Sequence, residues 1–183
     1  YDGSLLKGTT WAGAIAGSIG FTYNTDFRIT AETVNGANSV SFTYDNDGLL
    51  TGAGSLTLTR NTSNGLITGS TLGLVATSQS YNSFGEISQF TTTNSGTTLF
   101  DVQYTRDNLG RITQKVETIN GLTFTYAYTY DLAGRLIEVK RDGTIISQYS
   151  YDSNSNRVGW ASPTSSGVAT YDNQDRLLTY GNN

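Results

Sequence analysis

A short skeleton recurs along this chain, and its recurrence constrains the fold more than any single residue does. YTYDLAGRL (128–136) contains Tyr130, Asp131, Gly134 and Arg135 in fixed order. FTYDNDGLL (42–50) keeps Tyr44, Asp45 and Gly48, and QYTRDNLGRI (103–112) keeps Tyr104, Asp107, Gly110 and Arg111, with Arg106 in place of the second Tyr. SYNSFGEI (80–87) retains Tyr81 and Gly85, and YSYDSNSNRV (149–158) retains Tyr151, Asp152 and Arg157. ATYDNQDRLL (169–178) supplies Tyr171, Asp172 and Arg176, and FTYNTDFRI (21–29) supplies Tyr23. LTLTRNTSNGLI (56–67) is a worn copy that keeps Gly65 and carries one extra residue. The apolar residues that close the copies are Ile29, Leu50, Ile67, Ile87, Ile112, Leu136, Val158 and Leu177, spaced by 21, 17, 20, 25, 24, 22 and 19 residues. Eight copies with a period near 21 make one repeat array over residues 1–183, in which each unit is stabilised chiefly by its neighbours.

The repeat translates into strands and turns. Phe124, Tyr126, Tyr128 and Tyr130 alternate with Thr125, Ala127 and Thr129, a period of two with one aromatic face. Asp131 to Gly134 interrupts the alternation: Asp bonds backbone N–H groups two residues on, and Gly takes a positive φ. Asp142-Gly143, Asn35-Gly36 and Asn120-Gly121 are dipeptides that two-residue hairpin turns prefer. Each copy therefore reads as two strands and two turns, giving an all-β antiparallel sheet of roughly 14–16 strands, about 70–75 Å wide at ~4.8 Å per strand. A sheet that wide curls as its twist accumulates, and the curl is expected to lay the tyrosine rings of successive copies over one another.

Composition agrees and excludes much else. Thr (29 residues), Ser, Asn, Gly (21) and Tyr (12) are abundant, while charged residues make up 14% against about 25% in ordinary domains. Net charge −4, with only three Lys and no basic cluster, argues against nucleic-acid binding. Zero Cys and zero His remove disulfides, thiolate sites, and the commonest general base and metal ligand. Residues 8–25 are uncharged but interrupted by Thr, Ser and Gly, so no membrane insertion is expected. There is no initiating Met and no signal peptide, and repeats at both ends read as an excerpt of a longer chain.

These motifs, YTYDLAGRL and YDNQDRLLTYG above all, resemble the YD repeats of the Rhs family over nearly the whole chain, from WAGAIAGS (11–18) to residue 182. That family includes bacterial polymorphic toxins, the C component of insecticidal toxin complexes, and teneurin shells. The resemblance implies a strip of β-sheet spiralling into a hollow shell, which in the toxins encloses a variable C-terminal toxin. It also implies a bacterial protein that is secreted or displayed on the cell surface. Toxin-type shells end in a DPxGL-like element where an aspartate-dependent self-cleavage occurs. The one proline here, Pro163 in ASPTSS, is not preceded by Asp, so no residue of this chain inherits that role. Eight copies are also fewer than a complete cage requires.

Candidate chemistry is sparse. Asp45, Asp47 and Gly48 begin like a calcium loop, but Leu49, Leu50 and Leu56 occupy positions that need oxygen ligands or glycine. GAIAGSIG (13–20) lacks dinucleotide-loop spacing and suits close packing or a strand bulge. Glu32, Glu86, Glu117 and Glu138 lie on strands, with no pair marked for glycoside chemistry. Arg28, Arg111, Arg135, Arg157 and Arg176 form either a ligand-binding ladder or, the favoured reading, partners for turn aspartates. Trp11 and Trp160 suggest possible glycans as ligands. The expectation is a non-catalytic structural segment without catalytic, metal or cofactor sites. Its partners are further repeats and a C-terminal toxin cargo of its own chain, or identical copies joined edge to edge into a fibre or adhesin.

Overall fold

The computed structural model describes residues 2–181 and is built from antiparallel hairpins. The backbone groups into two compact units: Tyr1–Gln79 with Thr92–Thr97, and Ser80–Thr91 with Thr98–Asn183. The first unit carries β1 (Gly8–Trp11), β2 (Gly17–Tyr23), β3 (Ile29–Val34), β4 (Ala37–Tyr44), β5 (Leu50–Ala53), β6 (Leu56–Arg60), β7 (Ile67–Leu72) and most of β8 (Val75–Tyr81). The second carries most of β9 (Ile87–Asn94) and β10 (Thr97–Arg106), then β11 (Ile112–Ile119), β12 (Leu122–Tyr130) and β13 (Leu136–Arg141). It continues through β14 (Thr144–Tyr151), β15 (Arg157–Ala161), β16 (Ser166–Tyr171) and β17 (Leu177–Tyr180). Within each unit, strands pair with their neighbours in chain order, as in β2–β3 and β12–β13. The expected all-β hairpin architecture is present, with seventeen strands among the described residues.

Turn chemistry follows the sequence closely. Asn35-Gly36, Asn120-Gly121 and Asp142-Gly143 each have both φ values positive, between 49° and 83°, as a type I′ hairpin requires. These turns also tie sideways: Asn35 Oδ1 accepts from Ser18 N and Asp142 Oδ1 from Thr125 N, at 2.7 and 2.8 Å. The worn copy has the longer turn its extra residue demands, with Gly65 N donating to Asn61 O four residues back rather than three. GAIAGSIG divides between a loop and the start of β2, and Trp11 lies against Gly17, its cross-strand partner.

The β1–β2 pairing beside GAIAGSIG is continuous, without a bulge, and the bulges lie at the clamp residues, where no residue type marks them. The register shifts immediately before Tyr23, Tyr44, Arg60, Arg106, Tyr130, Tyr151 and Tyr171, so each of these pairs with the residue six or seven positions on and skips one. In β13, Tyr130 pairs with Leu136 and Thr129 with Glu138, leaving Ile137 as the extra residue. A bulge bends the strand and raises its twist, and here the same bend recurs in seven copies. Threonine hydroxyls fix several of them, as in Thr22–Thr30 and Thr43–Thr51 at 3.0 Å.

The apolar interior is thin. Among the described residues, only Val102, Val139 and Ala169 are buried apolar side chains. Most side chains on the tyrosine-bearing face are half-buried, so contacts along the sheet take the place of a two-layer core.

Candidate functional site

The repeating turn and the joint between neighbouring copies are where chemistry concentrates. In the turn 131–136, Gly134 N donates to Asp131 O, and Asp131 Oδ1 accepts from Arg135 N at 2.9 Å. The second carboxylate oxygen takes Arg135 Nε at 2.7 Å. Asp107 with Arg111 and Asp172 with Arg176 repeat both contacts. Where Asn replaces Asp, the backbone contacts survive: Asn24, Asn61 and Asn82 accept the N–H two residues on through Oδ1. Asp45 does the same for Asp47 and Leu49, which makes that stretch a turn.

The glycine slot has positive φ in every described copy. Gly48, Gly65, Gly85, Gly110 and Gly134 lie between 71° and 83°, while Phe27, Ser155 and Asp175 hold the same place at 60–71°. Phe27 is 71% exposed and so gains little for its strained backbone. Replacing it with Gly should raise stability by about 1 kcal/mol, read as a higher urea midpoint.

The joint between copies is a clamp. Tyr44 Oη donates to Ile29 O, Tyr130 Oη to Ile112 O and Tyr151 Oη to Leu136 O, at 2.7–2.8 Å. Each phenol therefore reaches the carbonyl of the residue that closes the preceding copy. Tyr171 reaches Arg157 O at 3.2 Å. Where arginine takes the tyrosine position it is the donor, Arg60 Nε to Leu50 O and Arg106 Nη1 to Ile87 O, and in the copy that carries Tyr81 the Gln79 amide Nε2 donates to Ile67 O. Tyr23 donates to Leu6 O, which identifies YDGSLL (1–6) as a further copy that the sequence reading passed over. Its signal was present in the Tyr-Asp pair and the closing leucine. Tyr151→Phe keeps the ring and removes one such bond; the expected loss is about 1 kcal/mol, or roughly 2–4 °C in Tm.

Arginine lies between copies. Arg111 lies over the Tyr130 ring at 4.8 Å and Arg135 over Tyr151 at 4.9 Å, each while held by its own aspartate. The expected ring-on-ring stacking gives way here to guanidinium-on-ring. Tyrosines of successive copies sit two strands apart, about 9.6 Å, beyond direct ring contact. Arg28 lies over Tyr44 at 5.9 Å but pairs with Asp26, and Arg176 pairs with Asp172. Arg157 differs. The register sets it opposite Tyr151, the place Leu136 holds opposite Tyr130, and puts Asn156 in the arginine slot, where it bonds Asp152. Val158 becomes the bulge residue, and Arg157 Nη2 donates to Tyr180 Oη at 2.9 Å. Tyr104 lies beneath Arg106 at 5.5 Å, and Tyr81 is half-buried at the end of β8.

Four turn carboxylates are held below the usual range. The Arg111 side chain does this for Asp107, the Arg135 backbone N–H and then its guanidinium for Asp131, the Asn156 amide for Asp152, and the Arg176 backbone N–H for Asp172. A folded-state pKa below the unfolded one contributes stability that is present above the unfolded value and lost as pH falls through the folded value. Urea midpoints should therefore hold steady down to about pH 4 and drop below it. Asp131→Asn should lessen that drop.

The strand carboxylates are engaged locally: Glu117 with Lys115 at 2.6 Å, and Glu138 with Lys140 at 2.9 Å. Trp160 stacks on Tyr180, lies against Gly167, and buries its indole nitrogen without a hydrogen-bond partner. Among the described residues, no cluster of metal-ligating side chains occurs, and no helix is long and apolar enough to cross a membrane.

Comparison with known proteins follows this geometry. The crystal structures of TcdB2-TccC3-Cdc42 and TcdB2-TccC3 superpose with TM-scores of 0.75 and 0.74 at 19% identity, covering 91% of this chain and 10% of each of those chains. The chain thus spans about a tenth of the length of these solved chains and shares their fold. No curated protein matches it. The teneurin YD-shell family pattern matches residues 1–183, and the chain belongs to that family.

Proposed function

We propose that this chain is one wall segment of a larger secreted or surface-displayed bacterial protein, whose shell encloses or displays a C-terminal toxin. The turn and clamp residues (Tyr, Asp, Gly and Arg of each copy) act as its structural repeat motif, and residues 1–183 form a single array of such copies. The observation that carries this reading is the clamp, a side-chain bond from each copy to the one before it. Such a rule extends a sheet indefinitely and needs no two-layer core. Family membership and the shared fold with TcdB2-TccC3 support it. The polar groups that the fold gathers are spent on turns and joints, which favours a non-catalytic role.

Imaging the complete gene product tests the proposal. Discrete hollow particles with a C-terminal domain resistant to protease until the shell is denatured are expected. Shells without such a domain would leave wall-building and remove the toxin cargo. Continuous filaments would favour the fibre reading, which rests on the exposure of all residues of β1 and β17. A glycan-binding surface has less support, since Trp160 is stacked and its nitrogen buried.

A further inference from the structure

One joint in the second unit has reversed polarity. At its siblings, a turn aspartate holds an arginine, and that arginine meets the next tyrosine (Asp107–Arg111–Tyr130 and Asp131–Arg135–Tyr151). At the joint between 80–87 and 103–112, the turn residue is Asn82, whose amide donates to Glu86 Oε2 at 2.6 Å. Glu86 in turn meets Arg106 Nε at 3.6 Å, and Arg106 replaces the tyrosine while still clamping Ile87 O at 2.7 Å. Donor and acceptor are exchanged at three linked positions, yet the backbone bond survives. The ion pair is slimmer than a ring with a guanidinium over it, and a groove of about 850 Å³ opens beside it, bordered by Phe84, Tyr104 and Leu109.

A chain of similar hairpins has a pairing problem, because a joint made of the common residues accepts many neighbours. We propose that Glu86 and Arg106 form a keyed joint that selects the correct neighbour during folding of the second unit: the copy ending at Ile87 accepts the hairpin with a cation in the clamp position, Arg106, and rejects those with Tyr130, Tyr151 or Tyr171 there. A tyrosine set against Glu86 would bring a carboxylate to the negative face of the ring. The Arg106 hairpin set beside Arg111 or Arg135 would bring two guanidinium groups together. Specificity of this kind needs such a repulsive element as well as an attractive one.

The test uses the 183-residue chain with E86R, R106Y and the triple variant N82D/E86R/R106Y, which rebuilds the sibling joint. Each single change should shift the folding equilibrium about tenfold toward unfolded. The triple variant should recover to within about twofold of the parent, because compatible partners are restored. On refolding from urea, however, it should return less monomer and more swapped oligomer by size-exclusion chromatography. A triple variant no more stable than the singles overturns the equivalence of the joints, and one that refolds to monomer as fully as the parent overturns the selection. If a charge-reversed single does not fold, E86Q, R106Q and their double give the coupling; strictly additive losses overturn the joint.

Discussion

Val102→Asp is expected to unfold the β10–β12 region. Val102 is 3% exposed and is one of three buried apolar side chains among the described residues. Its cross-strand partner in β11 is Glu117, already engaged by Lys115 at 2.6 Å. A carboxylate placed there loses its water and faces a like charge. An unpaired buried charge costs about 3–5 kcal/mol, a large part of the ~5–15 kcal/mol that a domain has in total. Amide exchange should show protection lost across β10, β11 and β12 together. Val102→Thr, similar in shape with one hydroxyl, should cost markedly less. An unchanged urea midpoint for the aspartate variant would mean that this face is open to solvent in solution.

Gly69→Val should be nearly as damaging in the first unit, for a different reason. The φ of Gly69 is not in the left-handed region, so its torsion does not demand glycine. Space does: a Cβ at Gly69 would lie 2.6 Å from Thr77 O and 3.0 Å from Thr59 Oγ1. The nearer obstacle is backbone, so β8 would have to move away from β7 and strain the Gly69–Ser78 pair. Overpacking of this kind costs roughly 1–3 kcal/mol, and a branched side chain lies at the upper end. Gly52 provides the contrast, since its nearest obstacle is the side-chain Thr43 Oγ1 at 2.7 Å. Thr43→Ala should therefore rescue Gly52→Ala, while Thr59→Ala should leave Gly69→Ala unrescued. Denaturation midpoints of the two glycine variants, each with and without its threonine change, separate the two causes, and equal rescue at both glycines would refute the backbone account.

Much of the molecule was legible in the sequence because its signals are local. Asp131 followed by Gly134 specifies a turn whatever surrounds it, as the Asp131 contacts with its own turn show. Asn35-Gly36, Asn120-Gly121 and Asp142-Gly143 likewise carry their own φ preference. The pairing of arginine with the turn aspartate was also readable at Arg111, Arg135 and Arg176, where both partners lie four residues apart. Arg157 was misplaced by one position because the apolar Val158 beside it reads as the closing residue, whereas the register puts Arg157 itself six residues after Tyr151, the place Leu136 holds after Tyr130. YDGSLL was passed over because its turn is compressed, Asp2 and Leu5 bonding each other directly, and the bond from Tyr23 to Leu6 completes its identification as a copy.

From sequence alone came the repeat, the hairpins, the two turn types and the all-β class, since each depends on residues a few positions apart. Tertiary structure alone decided the bulge beside the clamp residues, the carbonyl that each tyrosine, arginine or glutamine clamps, and the placing of guanidinium groups over the tyrosine rings of the next copy. The clamp and guanidinium contacts join residues 10 to 23 positions apart, on strands one or two places away. Their geometry follows from where the backbone of one copy falls against the next, and no spacing within a single copy contains that information.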